Sequence, residues 1–344
     1  MRHIAANVLT ILALVLIGLI AAVERGRQDF AAPGPLATPK IVSVELGDTL
    51  DAGAARLAEA GLFRDTALFG LVDGAALFKI AARWEGKTNA LKAGEYRVPA
   101  GASVAEILEL VTSGRAIQYA VTVPEGLTSW EVVELLKQAD ELSGEVAEIP
   151  AEGSLAPDTY FVDRGTPRTA LVARMQAAQE EILARAWAER AEGLPLASAQ
   201  DALILASIVE KETGVPEERG TVASVFVNRL REGMRLETDP TVIYGITQGR
   251  GPLGRGLRRS ELVRETPYNT YRIFGLPPTP IANPGRAAIA AVLDPPDTPY
   301  LFFVADGSGG HAFAETLAQH NANVRVWRRI EAQRRASGGG AGQP

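Results

Sequence analysis

The chain has 344 residues, a formal net charge of −6, 47% hydrophobic residues and no cysteine. That length allows about two domains with a sizeable core. The negative balance argues against a general nucleic-acid binder, and the lack of cysteine excludes a disulfide framework and thiol chemistry.

Residues 4–23 are apolar apart from Asn7 and Thr10. At 1.5 Å rise per residue such a helix spans about 30 Å, the thickness of a membrane hydrocarbon layer. The stretch is longer than the ~7–15 apolar residues of a cleaved signal peptide. Leu19 and Ile20 precede Ala21-Ala22, where cleavage wants small residues. Residues 1–24 therefore read as an uncleaved transmembrane anchor. Arg2 lies before the span and Arg25 and Arg27 just after it, so positive charge alone does not orient it. The very short N-terminal side favours an inner-membrane protein with its bulk on the periplasmic face. Residues 25–39, with Pro33, Gly34, Pro35 and Pro39, read as a linker.

Residues 40–120 form a first folded segment. The pattern predicts a strand at 41–46, helices at 50–60 and 65–84, and a strand at 94–98. This β-α-α-β order resembles the LysM module, a small glycan-binding fold of bacterial walls; the plain alternative is a structural spacer. A short β-like run, a Gly turn, a hydroxyl residue and a helical pattern recur at 44–49, 96–103 and 121–128. The last two lead into capping boxes, Ser103 with Glu106 and Thr128 with Glu131, in which the hydroxyl satisfies a free helix amide and the glutamate reaches back.

Residues 121–336 read as a larger domain. Helices are predicted at 129–144, 171–192, 198–212 (with Ser198 as N-cap), 221–230, 287–293 and 314–335. A long irregular region covers 233–284, and 301–305 (LFFVA) reads as a buried strand. The Gly-rich tail 337–344 reads as disordered. The fold class is α+β: a transmembrane helix, a small LysM-like β-α-α-β subdomain and a larger mixed α+β catalytic domain. Two basic clusters, Arg250, Arg255, Arg258, Arg259 and Arg264, then Arg325, Arg328, Arg329, Arg334 and Arg335, read as a solvated loop and a solvated helix face.

The chemistry concentrates where the apolar run 202–209 ends on Glu210, before the breakers Gly214 and Pro216. A carboxyl at the end of a buried helix is partly desolvated; its pKa rises, which suits a general acid. The plain alternative is the solvated last turn of a core helix. Glu212 stands two residues on, about 200° around the helix, and points away from Glu210. Asp239 is the remaining candidate for a second carboxyl, though before Pro240 it reads more simply as a turn or loop cap. Asn228, Asn269 and Asn283, and Tyr244, Tyr268 and Tyr271, are candidate sugar contacts; loop pinning is their alternative. His311 and His320 lack metal-ligand spacing, so neither a metal nor a cofactor is expected.

Seven motifs stand in order: PDTYF at 157–161, SIVEKET at 207–213, VFVNRL at 225–230, TDPTVIYG at 238–245, YNTY at 268–271, GLPP at 275–278 and GGHAF at 309–313. With these the chain resembles the MltG (YceG-like) endolytic murein transglycosylases over its whole length. It departs from them at Glu237, where the family usually has Gln, and at Thr279, where Gly is usual. The resemblance implies cleavage of the β-1,4 bond between N-acetylmuramic acid and N-acetylglucosamine in nascent peptidoglycan, leaving 1,6-anhydro ends. It implies Glu210 as acid and then base, the muramoyl C6 hydroxyl as nucleophile, and peptidoglycan synthases as partners. The competing readings are a non-catalytic peptidoglycan-binding scaffold and a water-using muramidase with Asp239 as second carboxylate.

Overall fold

The structure is a computed structural model that describes residues 2–65 and 70–336. The tail expected to be disordered, 337–344, and part of the helix predicted at 65–84 lie outside the described residues. The chain divides into two compact units, residues 1–120 with 161–165, and residues 121–160 with 166–344.

In the first unit α1 (Arg2–Ala31) is long and apolar enough over Asn7–Ala31 to cross a membrane. It runs past residue 24 into the predicted linker, because no breaker interrupts it before Pro33. Then come β1 (Lys40–Val44), α2 (Leu50–Glu59), α3 (Gly74–Trp84), β2 (Gly94–Val98) and α4 (Val104–Ser113). This is the expected β-α-α-β order. β1 and β2 pair antiparallel, with Lys40 opposite Val98 and Val44 opposite Gly94. Alternation buries Val42, Val44, Tyr96 and Val98 against Leu57, Phe78 and Ile107 of the helices. The α3 helix begins late, at Gly74, because Asp73 caps it by accepting the Ala76 N–H at 2.6 Å. Both capping boxes form as read, Ser103 with Glu106 and Thr128 with Glu131.

The chain changes unit within β3 (Tyr119–Thr122) and again within β5 (Thr159–Val162), which pair with each other. Between them lie α5 (Ser129–Lys137) and β4 (Leu142–Ser143), and β4 pairs in parallel with β6 (Thr166–Pro167). The second unit continues through α6 (Arg168–Ala188), α7 (Ala199–Glu212), α8 (Arg219–Arg231), α9 (Asp239–Thr247), α10 (Arg259–Val263), α11 (Arg286–Leu293), β7 (Phe302–Ala305), β8 (His311–Ala314) and α12 (Leu317–Ala336). Its core is α7, apolar on every side and enclosed by α6, α8 and α11.

Two expectations are corrected. The region 233–284 is not irregular throughout: it holds α9 and the short α10, and α9 is started by Pro240, whose missing N–H costs nothing in a first turn. The LFFVA strand is half-buried rather than buried. It forms a two-stranded antiparallel ribbon with β8, with Phe302 opposite Ala314 and Ala305 opposite His311. A ribbon of two strands has no neighbours to enclose it on both edges.

Candidate active site

Ser198 caps α7 by accepting the Asp201 N–H at 3.2 Å, and every residue from Ala202 to Val209 is buried. Buried Ser207 tethers a loop to the helix, accepting the Ile281 N–H at 3.0 Å. The helix is thereby locked in rotation, and this lock determines where its last two carboxylates point.

They point to different neighbours. The Glu210 Oε2 atom accepts the Gly285 N–H at 2.9 Å, at the start of α11. Glu125 lies beside that glycine. A Cβ at Gly285 would fall 1.8 Å from the Glu125 Oε1 atom, so a larger residue there would turn the Glu125 side chain aside. Burial raises the Glu210 pKa, and the Glu125 charge adds to it. The Gly285 N–H, Arg219 and Lys211 oppose that rise.

Glu212 instead accepts the hydroxyl of Thr238. Burial pushes its carboxyl up and the Asp239 charge adds, while the Thr238 hydroxyl, His311 and Arg229 pull it down. Glu212 lines a cleft of about 680 Å³ together with Lys211, Asp239, Tyr244, Thr247 and Arg255. Glu210 is not among the residues that line this cleft.

The polar loops interlock behind Glu212. Thr270 accepts the Thr238 N–H at 3.0 Å and bonds the Thr241 hydroxyl at 2.8 Å. Tyr271 donates its O–H to Asp239 Oδ1 at 2.7 Å. Burial and the neighbouring Asp239 carboxylate raise the Tyr271 pKa and keep it a phenol. Tyr244 reaches the cleft with its ring 5.1 Å from that of Tyr268, and the Tyr268 hydroxyl meets Thr279 at 2.8 Å. Thr279 thus adds a hydroxyl to this aromatic wall where glycine would add none. Glu237, with φ of 51°, pairs with buried Arg229 at 3.4 Å. Arg229 also donates to the carbonyls of Leu301, Arg235 and Leu236 at 2.7–3.0 Å.

The three asparagines are spent on neighbouring groups of the chain, mostly backbone. Asn228 donates to the carbonyls of Thr298 and Tyr300, at 2.7 and 3.1 Å. Fully buried Asn269 donates to those of Glu261, Leu262 and Arg264, and accepts the Tyr271 N–H. Fully buried Asn283 accepts the Leu155 N–H at 2.9 Å and donates to Leu127 O and Ser129 Oγ. In this arrangement they pin loops, and none lines the cleft. The cleft therefore gathers Asp239 and Tyr244 of the candidate residues, with Tyr268 and Tyr271 one contact behind.

Three carboxylates escaped the reading of the sequence as site residues. Glu212 was set aside for diverging from Glu210. Glu125 sat inside a turn motif. Glu152 is half-buried, accepts the Ser129 N–H at 2.7 Å and has a pKa raised by burial. A polar residue beside Gly153 gives no local sign of burial. His311 bonds Glu218 through Nδ1 at 2.7 Å. Among the described residues no group of three His, Cys, Asp or Glu is gathered as for a metal.

A family model described as the YceG-like family matches residues 42–326. A protein of Bacillus subtilis (strain 168) named endolytic murein transglycosylase is 36% identical over 173 residues, 50% of this chain and 46% of that one. A Streptococcus pneumoniae (serotype 2, strain D39) protein of the same name is 28% identical over 304 residues, 74% of this chain and 54% of that one. The chain spans about half the length of these curated relatives. A crystal structure of a YceG-like protein from Listeria monocytogenes is 26% identical with a TM-score of 0.50, and the match covers 83% of this chain and 98% of that one.

Proposed function

The chain belongs to the YceG-like family, and from that premise we propose that it is an endolytic lytic transglycosylase of peptidoglycan with Glu212 as its acid and base. The observation that carries the assignment is Glu212 in the wall of the 680 Å³ cleft, its carboxyl raised by burial. Glu210, the residue expected from the sequence, is engaged with the Gly285 N–H at the head of α11. That is the work of a helix cap.

In the first step protonated Glu212 gives its proton to the oxygen linking N-acetylmuramic acid to N-acetylglucosamine. The C1–O bond breaks and the muramoyl ring carries the positive charge. In the second step the C6 hydroxyl of the same ring attacks C1, and the Glu212 carboxylate takes its proton. The product is a 1,6-anhydro end, no water is consumed, and the nucleophile is already attached. One carboxyl therefore serves both steps. The length and apolarity of α1 support an anchor role; in this reading the bulk of the chain lies on the periplasmic side, beside nascent strands and their synthases. The first unit, with its LysM-like order, is the glycan-holding part of this reading.

Mass spectrometry of products from peptidoglycan incubated with the full chain in detergent tests it. Wild type and Glu210→Gln should both yield anhydro ends, and Glu212→Gln none. Activity in Glu212→Gln with loss in Glu210→Gln would return the acid to Glu210. Asp239 in the same cleft favours one second reading, a water-using muramidase, which reducing ends in the wild-type products would establish. Glycan binding without any product would leave a scaffold.

A further inference from the structure

Resting on that reading of the cleft, we propose that Asp239 supports the cationic sugar ring during bond cleavage and that Tyr271 holds it in position. The Thr238-Asp239-Pro240 turn at the start of α9 serves two carboxylates at once. Thr238 gives its hydroxyl to Glu212, and Asp239 projects into the same cleft. The Tyr271 O–H donates to Asp239 Oδ1 at 2.7 Å. Tyr271 is itself held by Asn269, which accepts its N–H at 3.0 Å. The other carboxylate oxygen, Oδ2, has no hydrogen-bond or ion-pair partner among the described residues. A carboxylate aimed by one oxygen and open at the other, beside the proton donor, is arranged to meet positive charge that exists only as the reaction proceeds.

The balance is simple. When the Glu212 proton moves to the leaving oxygen and the C1–O bond breaks, C1 gains positive charge and Asp239 faces it without forming a bond. The C6 hydroxyl closes the anhydro ring, its proton returns to Glu212, and Asp239 is unchanged. Asp239 also bears on Glu212 before the reaction, because its negative charge helps keep that carboxyl protonated. The other groups facing Glu212 are Arg229 from α8, His311 from β8 and the Tyr271 phenol. Asp239→Asn removes none of them.

The test is the pH dependence of kcat and KM for the full chain on peptidoglycan, with products identified by mass spectrometry. Asp239→Asn keeps the size and can still accept from Tyr271. It should lower kcat by about 100-fold or more, as loss of a transition-state electrostatic contact does, with KM nearly unchanged. Its remaining products should be anhydro ends, and the alkaline limb of its profile should move to lower pH. Tyr271→Phe should cost about 10-fold in kcat, since Asp239 remains but is no longer aimed. Should Asp239→Asn prove unfolded, Asp239→Glu, with charge retained but displaced, should show the same kcat loss. Wild-type kcat in Asp239→Asn, a change in KM alone, or an unmoved alkaline limb would overturn the proposal. Failure of Glu212→Gln to abolish turnover would instead remove the acid assignment on which it rests.

Discussion

Glu210 and Glu212, two residues apart at the end of α7, accept from different elements: Glu210 from the Gly285 N–H at the head of α11, Glu212 from the Thr238 hydroxyl at the head of α9. The helix thus caps one neighbour with one carboxylate and offers the other to the cleft. Burial raises both carboxyls, and what separates the two is the groups that each one meets.

The Thr238 hydroxyl donates to Glu212 and lowers its pKa. In Thr238→Val that donor is gone and the ionised form loses support, so the pKa should rise further. Activity requires the protonated acid, so the alkaline limb of kcat/KM should move to higher pH, opposite in sign to Asp239→Asn. A limb that stays put would mean another group controls it.

Glu152 ties stability to pH. Burial raises its folded pKa above the ordinary value of 4.5, against the opposing hydrogen bonds from Ser129 and Tyr244. Between those two values the folded state binds more protons than the unfolded, so stability falls as pH rises through the window. Glu152→Gln keeps an acceptor for the Ser129 N–H and has no charge to bury. Its melting temperature minus that of wild type should therefore grow from pH 4.5 upward, then level off. A constant difference across pH would refute this.

Asn269 donates to three carbonyl oxygens at 2.6–3.1 Å. Asn269→Asp turns that donor into an anion facing three acceptors in a buried site, a loss of about 3–5 kcal/mol. Asn269→Ala should cost less and leave KM near wild type, because the side chain pins a loop instead of touching sugar. Thermal unfolding and steady-state kinetics of the two variants check both statements.

Gly153 has φ of 80°, and a Cβ there would lie 2.7 Å from Pro280 Cγ and 3.3 Å from Leu203 Cδ2. Gly153→Ala adds left-handed strain of about 1–2 kcal/mol and overpacking of about 1–3 kcal/mol. A fall of about 2–5 kcal/mol in denaturant unfolding is expected. An unchanged midpoint would show that the Pro280 loop yields freely.

Local signals carried far where the determinants are local. Ser103 with Glu106, Thr128 with Glu131, and Ser198 mark helix starts in the sequence because a cap is a contact within four residues. The β2 strand was legible at its observed bounds because Tyr96 and Val98 alternate with charged neighbours. The α9 helix was not, since Asp239-Pro240 serves equally well to open a helix or to form a turn. Nor was β8 legible, because His311–Phe313 follow a glycine-rich stretch and Ala314 reads as the start of the last helix until β7 supplies a partner.

The sequence by itself determined the family motifs and their order, the membrane-length apolar segment, and the fact that Glu210 and Glu212 diverge, for 3.6 residues per turn dictate their relative angle. Only the tertiary structure decided which of them meets the cleft. An amphipathic helix declares its inner face in its sequence, but α7 is buried on all sides from Ala202 to Val209 and has no polar stripe to set its rotation. That rotation comes from contacts distant in sequence, the Ile281 N–H on Ser207 and the Gly285 N–H on Glu210, and no local pattern encodes them.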